Sequence, residues 1–119
     1  MTSANDAAVD RSVLEALSRG DFDTECAFIA LYRRLNDEDM VKLHQAVAEA
    51  DMEGTLHASH RMAGASRMIG AINLAGVCGR VEAASRAGDM STVKANLAAL
   101  QREIANVDAF FDSFLSAER

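Results

Sequence analysis

Between Val93 and Phe114 apolar side chains recur as Val93, Leu97, Leu100, Ile104, Val107, Phe111 and Phe114, spaced alternately four and three. That rhythm keeps one stripe on a helix and packs it against neighbours at a shallow angle. Asp89 or Ser91 can cap this last helix. Upstream, Leu74, Val77, Cys78 and Val81 give the i, i+3, i+4, i+7 pattern of a helix that ends at Gly88. Before it, a segment from Asp51 to about Gly70 gathers Thr55, Ala58, Met62, Ala65 and Ile69 on one face. A longer helix is predicted from about Asp23 to Ala50 on Phe28, Leu31, Leu35, Leu43 and Val47, with the polar cluster Asn36-Asp37-Glu38-Asp39 marking a bend or break. A short helix over residues 9–18 is stopped by Gly20.

The connections are only a few residues long, so successive helices should run antiparallel. The expected fold is all-α: an up-and-down antiparallel four-helix bundle with a short extra N-terminal helix. Residues 1–8 are small and polar and are expected to be flexible, leaving 9–119 as one domain.

Composition narrows the function. Half of the 119 residues are apolar, only six are aromatic (five Phe and one Tyr), and proline is absent, which suits long uninterrupted helices. A net charge of −6 argues against nucleic acid, whose binding needs a basic footprint, and against a cationic helix lying on a membrane. No stretch reaches the roughly 20 apolar residues of a membrane span, and the N-terminus lacks the basic and apolar regions of a signal peptide. Cys26 and Cys78 sit far apart in apolar helical patterns and read as small buried hydrophobes in a reducing cytosol. The expected location is cytoplasmic.

Candidate chemistry centres on His60. Its helical phase places it almost opposite the apolar face, so the imidazole should project outward. Ala63 and Gly64 flank it one turn on, where larger side chains would shield it, and Arg67 follows two turns on. As ordinary surface residues, His44, His57 and His60 would need no further account. A metal site at His57 and His60 lacks the third and fourth ligands that zinc requires. Phosphoryl acceptance is the third reading: imidazole is largely uncharged and nucleophilic near neutral pH, and attack improves when the second nitrogen's proton is held by an acceptor.

The order of residues from His60 onward is more specific. His60 and Gly64 are followed by Ala65-Ser66, Ile69-Gly70-Ala71, Leu74-Ala75, Cys78, Val81-Glu82 and Gly88-Asp89. This segment resembles the histidine phosphotransfer (HPt) domain of two-component phosphorelays. Its Arg67-Met68 pair is most similar to the HPt domains of hybrid sensor kinases.

The resemblance implies that His60 is the phospho-acceptor, through Nε2. It also implies that Glu82 orients the imidazole by accepting the Nδ1 proton; otherwise Glu82 is a solvated or salt-bridged glutamate. Arg86 either screens the phosphoryl charge or pairs with Glu82 at i, i+4. Gly64 either opens space for a partner's active site or reflects loose helix packing. The family usually has lysine where this chain has Ala63, and Arg67 or Arg61 is expected to compensate. Met68 is expected among exposed apolar residues of a docking face with Arg61, Ala63 and Gly64.

The implied partners are response-regulator receiver domains and a hybrid sensor histidine kinase. The implied Mg²⁺ is supplied by the receiver, so the chain needs no cofactor or metal of its own. It would be a monomeric phosphorelay intermediate and not an enzyme with its own turnover. The start at a methionine with no linker favours a free-standing protein over the C-terminal domain of a hybrid kinase. The competing reading is a helical adaptor or pseudo-HPt module that docks a receiver without being phosphorylated.

Overall fold

In the computed structural model, which describes residues 8–117, every regular element is an α-helix. The helices are α1 (Arg11–Ser18), α2 (Phe22–Ala48), α3 (Met52–Ile69), α4 (Ile72–Arg86), α5 (Met90–Ala95) and α6 (Leu97–Ala117). Aspartates start four of them. Asp10, Asp21, Asp51 and Asp89 accept hydrogen bonds from the backbone N–H of Ser12, Thr24, Gly54 and Thr92, satisfying donors that no preceding turn can reach. Asp89, and not Ser91, therefore caps the element that follows Gly88.

Two expected boundaries change. The polar cluster Asn36–Asp39 does not end α2, which runs unbroken for 27 residues. Asn36 is buried, and Asp39 accepts a hydrogen bond from Arg61 of α3, which ties the end of the cluster to the neighbouring helix. The predicted last helix is instead split at Asn96. Its side chain donates to the Thr92 carbonyl and accepts from Arg80 Nε, holding a short turn between α5 and α6. The seam survives the split, with Val93, Leu100, Val107, Phe111 and Phe114 all buried.

The helix α3 lies between α2 and α4, while α5 and α6 pack on α4 and α1 rests on α2 and α3. Leu14, Ile29, Leu43, Met62, Leu74, Val81, Leu100 and Phe111 fill a single core. Between α2 and α3 the core holds one polar pair: the Tyr32 hydroxyl and Ser66 Oγ lie 2.8 Å apart. The α3–α4 turn depends on Gly70, whose φ of +88° is the left-handed conformation that ends a helix. A Cβ there would also stand 2.6 Å from the Asp10 carbonyl oxygen, because the Asp10 N–H donates to the Gly70 carbonyl at 2.8 Å. The expectation of flexibility over 1–8 lies outside the described residues except at Ala8, which is buried against the core.

Candidate functional site

The α3 face that carries His60 is opposite Thr55, Ala58, Met62 and Ile69, all of which are buried. The imidazole is accordingly outward, with its side chain 68% exposed. From α4, Glu82 reaches it, and Glu82 Oε2 lies 2.9 Å from His60 Nδ1. The same oxygen accepts a hydrogen bond from Arg86 Nη2 at 2.8 Å. These two bonds, Arg86's first and His60's second, hold the Glu82 carboxyl below its ordinary pKa.

Glu82 is thus a carboxylate near neutrality, with only acceptor capacity. The shared contact requires His60 Nδ1 to carry the proton and donate it. In the neutral ring that leaves the Nε2 lone pair free and directed to solvent. A nucleophilic nitrogen with its tautomer fixed from behind is what this arrangement provides chemically.

The other singled-out residues fall into place unevenly. Gly64 is exposed, and a Cβ added there would meet nothing within 4 Å. No neighbouring helix therefore requires glycine at that position. Met68 continues the same face at 65% exposure. Arg67 is exposed, with its guanidinium beside Gly79 of α4. Arg86 is engaged with Glu82, the i, i+4 pair that its spacing permits.

Ala63 is not where a docking surface would need it, and Arg61, although exposed, is engaged by another helix. Ala63 is fully buried, because α4 packs over the flank of α3 on which it lies, so no partner can touch it. Arg61 turns away from the imidazole, and its Nε donates to Asp39 Oδ1 at 3.0 Å. Of the other histidines, His57 lines a polar cleft with Lys42, Glu49 and Arg61, and His44 is exposed on α2. Among the described residues no three His, Cys, Asp or Glu side chains come together as a metal site. Cys78 is buried, which pushes its thiol up to about 12 and leaves it protonated; Cys26 is half-buried, and both are free thiols.

One feature of this surface escapes the sequence stripe read for α2. The core-facing positions of α2 are Ile29, Tyr32, Asn36 and Leu43, so Leu31 and Leu35 remain 44% and 42% exposed. With Phe28, Ala65 and Met68 they line a shallow apolar groove between α2 and α3. The groove adjoins the His60 face through Met68. At 100° per residue, Phe28, Leu31 and Leu35 are centred roughly 90° from the core stripe. An apolar arc too wide for one buried face was the signal available in the sequence.

Comparisons with known proteins bear on the family and the fold. The Hpt domain family model matches residues 27–110, which spans α2 to α6 and includes every residue of the His60 site. The crystal structure of histidine-containing phosphotransfer protein B (HptB) from Pseudomonas aeruginosa PAO1 is similar to this chain, with a TM-score of 0.87 and 27% sequence identity. That similarity covers 94% of this chain and 97% of the other. No protein of curated function matches the sequence. No described helix is long and apolar enough to cross a membrane. With the family model matched over well over half of the chain, the chain belongs to the Hpt domain family.

Proposed function

We propose that this protein is a phosphorelay intermediate that carries a phosphoryl group on His60 Nε2 between the aspartates of two receiver domains. The observation that carries the reading is the His60–Glu82 contact, which holds the proton on Nδ1 and leaves Nε2 free. The lone pair attacks phosphorus in line, an N–P bond forms, and the P–O bond to the receiver's aspartate breaks. That aspartate departs as a carboxylate. No proton leaves Nε2, since it carried none, so the ring becomes cationic, with its charge held against the Glu82 carboxylate. Transfer onward to a second receiver reverses these steps.

The receiver supplies the Mg²⁺ that offsets charge on the moving phosphoryl group, and this chain supplies a positioned nucleophile. Gly64 leaves the approach to His60 unobstructed. Met68 and the groove lined by Leu31 and Leu35 offer an apolar surface for transient docking. Residues 9–119 work as one domain, a monomeric up-and-down antiparallel bundle, a topology supported by the short links between its long helices.

The test is label transfer from a receiver phosphorylated on aspartate, with Mg²⁺ present, repeated across the receivers of the source organism. Wild type is expected to acquire an acid-labile phosphate and His60→Ala none. A second reading, a pseudo-HPt adaptor, draws on Ala63, where the family usually has lysine. It predicts receiver binding that is equal in wild type and His60→Ala, with no label on either.

A further inference from the structure

Three arginines surround His60 in sequence or space, and they are not equivalent. Arg61 is held by Asp39 and Arg86 by Glu82. Among the described residues no carboxylate forms an ion pair with Arg67. Its guanidinium instead lies across α4 at Gly79. A Cβ built on Gly79 would stand 3.8 Å from Arg67 Nη2 and would meet nothing else within 4 Å.

The register of these contacts matters. His60 meets Glu82, and Arg67 meets Gly79, so seven residues along α3 correspond to only three in the reverse direction along α4. At about 1.5 Å rise per residue, the Arg67 arm leans back toward His60 by roughly 6 Å, as helical side chains do toward their N-terminus. Its nitrogens therefore lie nearer the level of the imidazole than the Arg67 Cα does. Gly79 has no positive φ and no crowding backbone to explain it. Glycine in the middle of a helix is nevertheless unfavourable relative to alanine.

A phosphoryl group on Nε2 would bring negative charge close to the Glu82 carboxylate. Arg86 already offsets Glu82, so the phosphoryl group needs another cation. We infer that Gly79 is a positioning residue that seats the Arg67 guanidinium across α4, from where it meets the phosphoryl group carried by His60. The inference rests on the phosphotransfer reading above. A guanidinium can donate two parallel hydrogen bonds to phosphoryl oxygens, and a bulky side chain at position 79 would push it off this seat.

Phosphoramidate, a small-molecule phosphodonor, serves as the probe, so that receiver docking plays no part. After the donor is removed, ³¹P NMR follows loss of the phosphohistidine from the full chain. Arg67→Ala and Gly79→Leu are each expected to shorten its lifetime about tenfold, as expected for loss of a charge-assisted contact. The double variant should be no worse than either single one. Gly79→Ala, whose methyl would make only an ordinary contact with Arg67, should keep most of the lifetime.

On the wild type, where folding is not in question, the Arg67 side-chain ¹⁵N resonance should shift on phosphorylation and that of Arg61 should not. Lifetimes in Gly79→Leu equal to wild type, additive losses in the double variant, or an unmoved Arg67 resonance would overturn the role of Gly79. A phosphohistidine that never forms on the wild type would instead overturn the phosphotransfer reading, and this inference with it.

Discussion

His60 Nδ1 and Glu82 Oε2 stand 2.9 Å apart across the α3–α4 seam, on an oxygen that Arg86 also contacts. The partners differ sharply in environment: the imidazole is largely solvated, whereas the Glu82 side chain is only 15% exposed. A largely buried carboxylate thus holds one nitrogen of a solvent-exposed imidazole. Glu82→Ala should slow acceptance of a phosphoryl group by His60 roughly tenfold to a hundredfold, since a hydrogen bond to a charged group contributes about 1.5–3 kcal/mol. Glu82→Gln retains an acceptor oxygen and should fall between the two. Rapid-quench transfer kinetics with one phosphorylated receiver would measure both.

The same contact has a pH signature. The Glu82 carboxyl is held below its ordinary value of 4.5, first by Arg86 and then by His60. The unfolded chain therefore takes up this proton at a higher pH than the folded one. The stabilisation is complete above the ordinary value and is lost as pH falls through the folded value. A ¹³C titration of the Glu82 carboxyl should show a midpoint below that of an ordinary glutamate. Arg86→Ala should move that midpoint upward, and an unchanged midpoint would mean that the guanidinium is not the main cause of the shift.

Tyr32 and Ser66 should behave as a unit. Tyr32→Phe leaves Ser66 Oγ buried without its partner and should cost about 1–2 kcal/mol in chemical denaturation. Ser66→Ala strands the Tyr32 hydroxyl in the same way. The double variant should cost less than the sum of the two, because neither group is then left unsatisfied.

The apolar groove should govern receiver affinity without governing the fold. Leu35→Glu and Met68→Glu change exposed side chains, so thermal stability should stay within about 0.5 kcal/mol of wild type. Calorimetric affinity for a cognate receiver should fall about tenfold or more if these residues are anchors of the interface. Phosphoramidate labelling of His60, which needs no docking, should be unaffected.

Much of this molecule is written in local patterns. A 3.6-residue period and aspartate caps act within one or two turns, so the helices and the outward phase of His60 could be read without knowing their neighbours. The ordered motif from His60 to Asp89 also brought Glu82 to the imidazole by resemblance, and the contact is present.

Other features depend on where a neighbouring helix lies, and an isolated helix has no record of that. Ala63 and Gly64 are adjacent in sequence, yet α4 covers the first and leaves the second open. Arg61 follows His60 directly, but Asp39, 22 residues upstream on α2, draws it away. Leu31 and Leu35 have the spacing of core residues and line a surface groove, because α3 and α6 pack against a different arc of α2. The sequence by itself determined most of the helical spans and which side of α3 carries His60, since backbone hydrogen bonding and periodicity are local. Only the tertiary structure decided which charges and apolar side chains share the surface around that imidazole, since that depends on how each helix is rotated against the next.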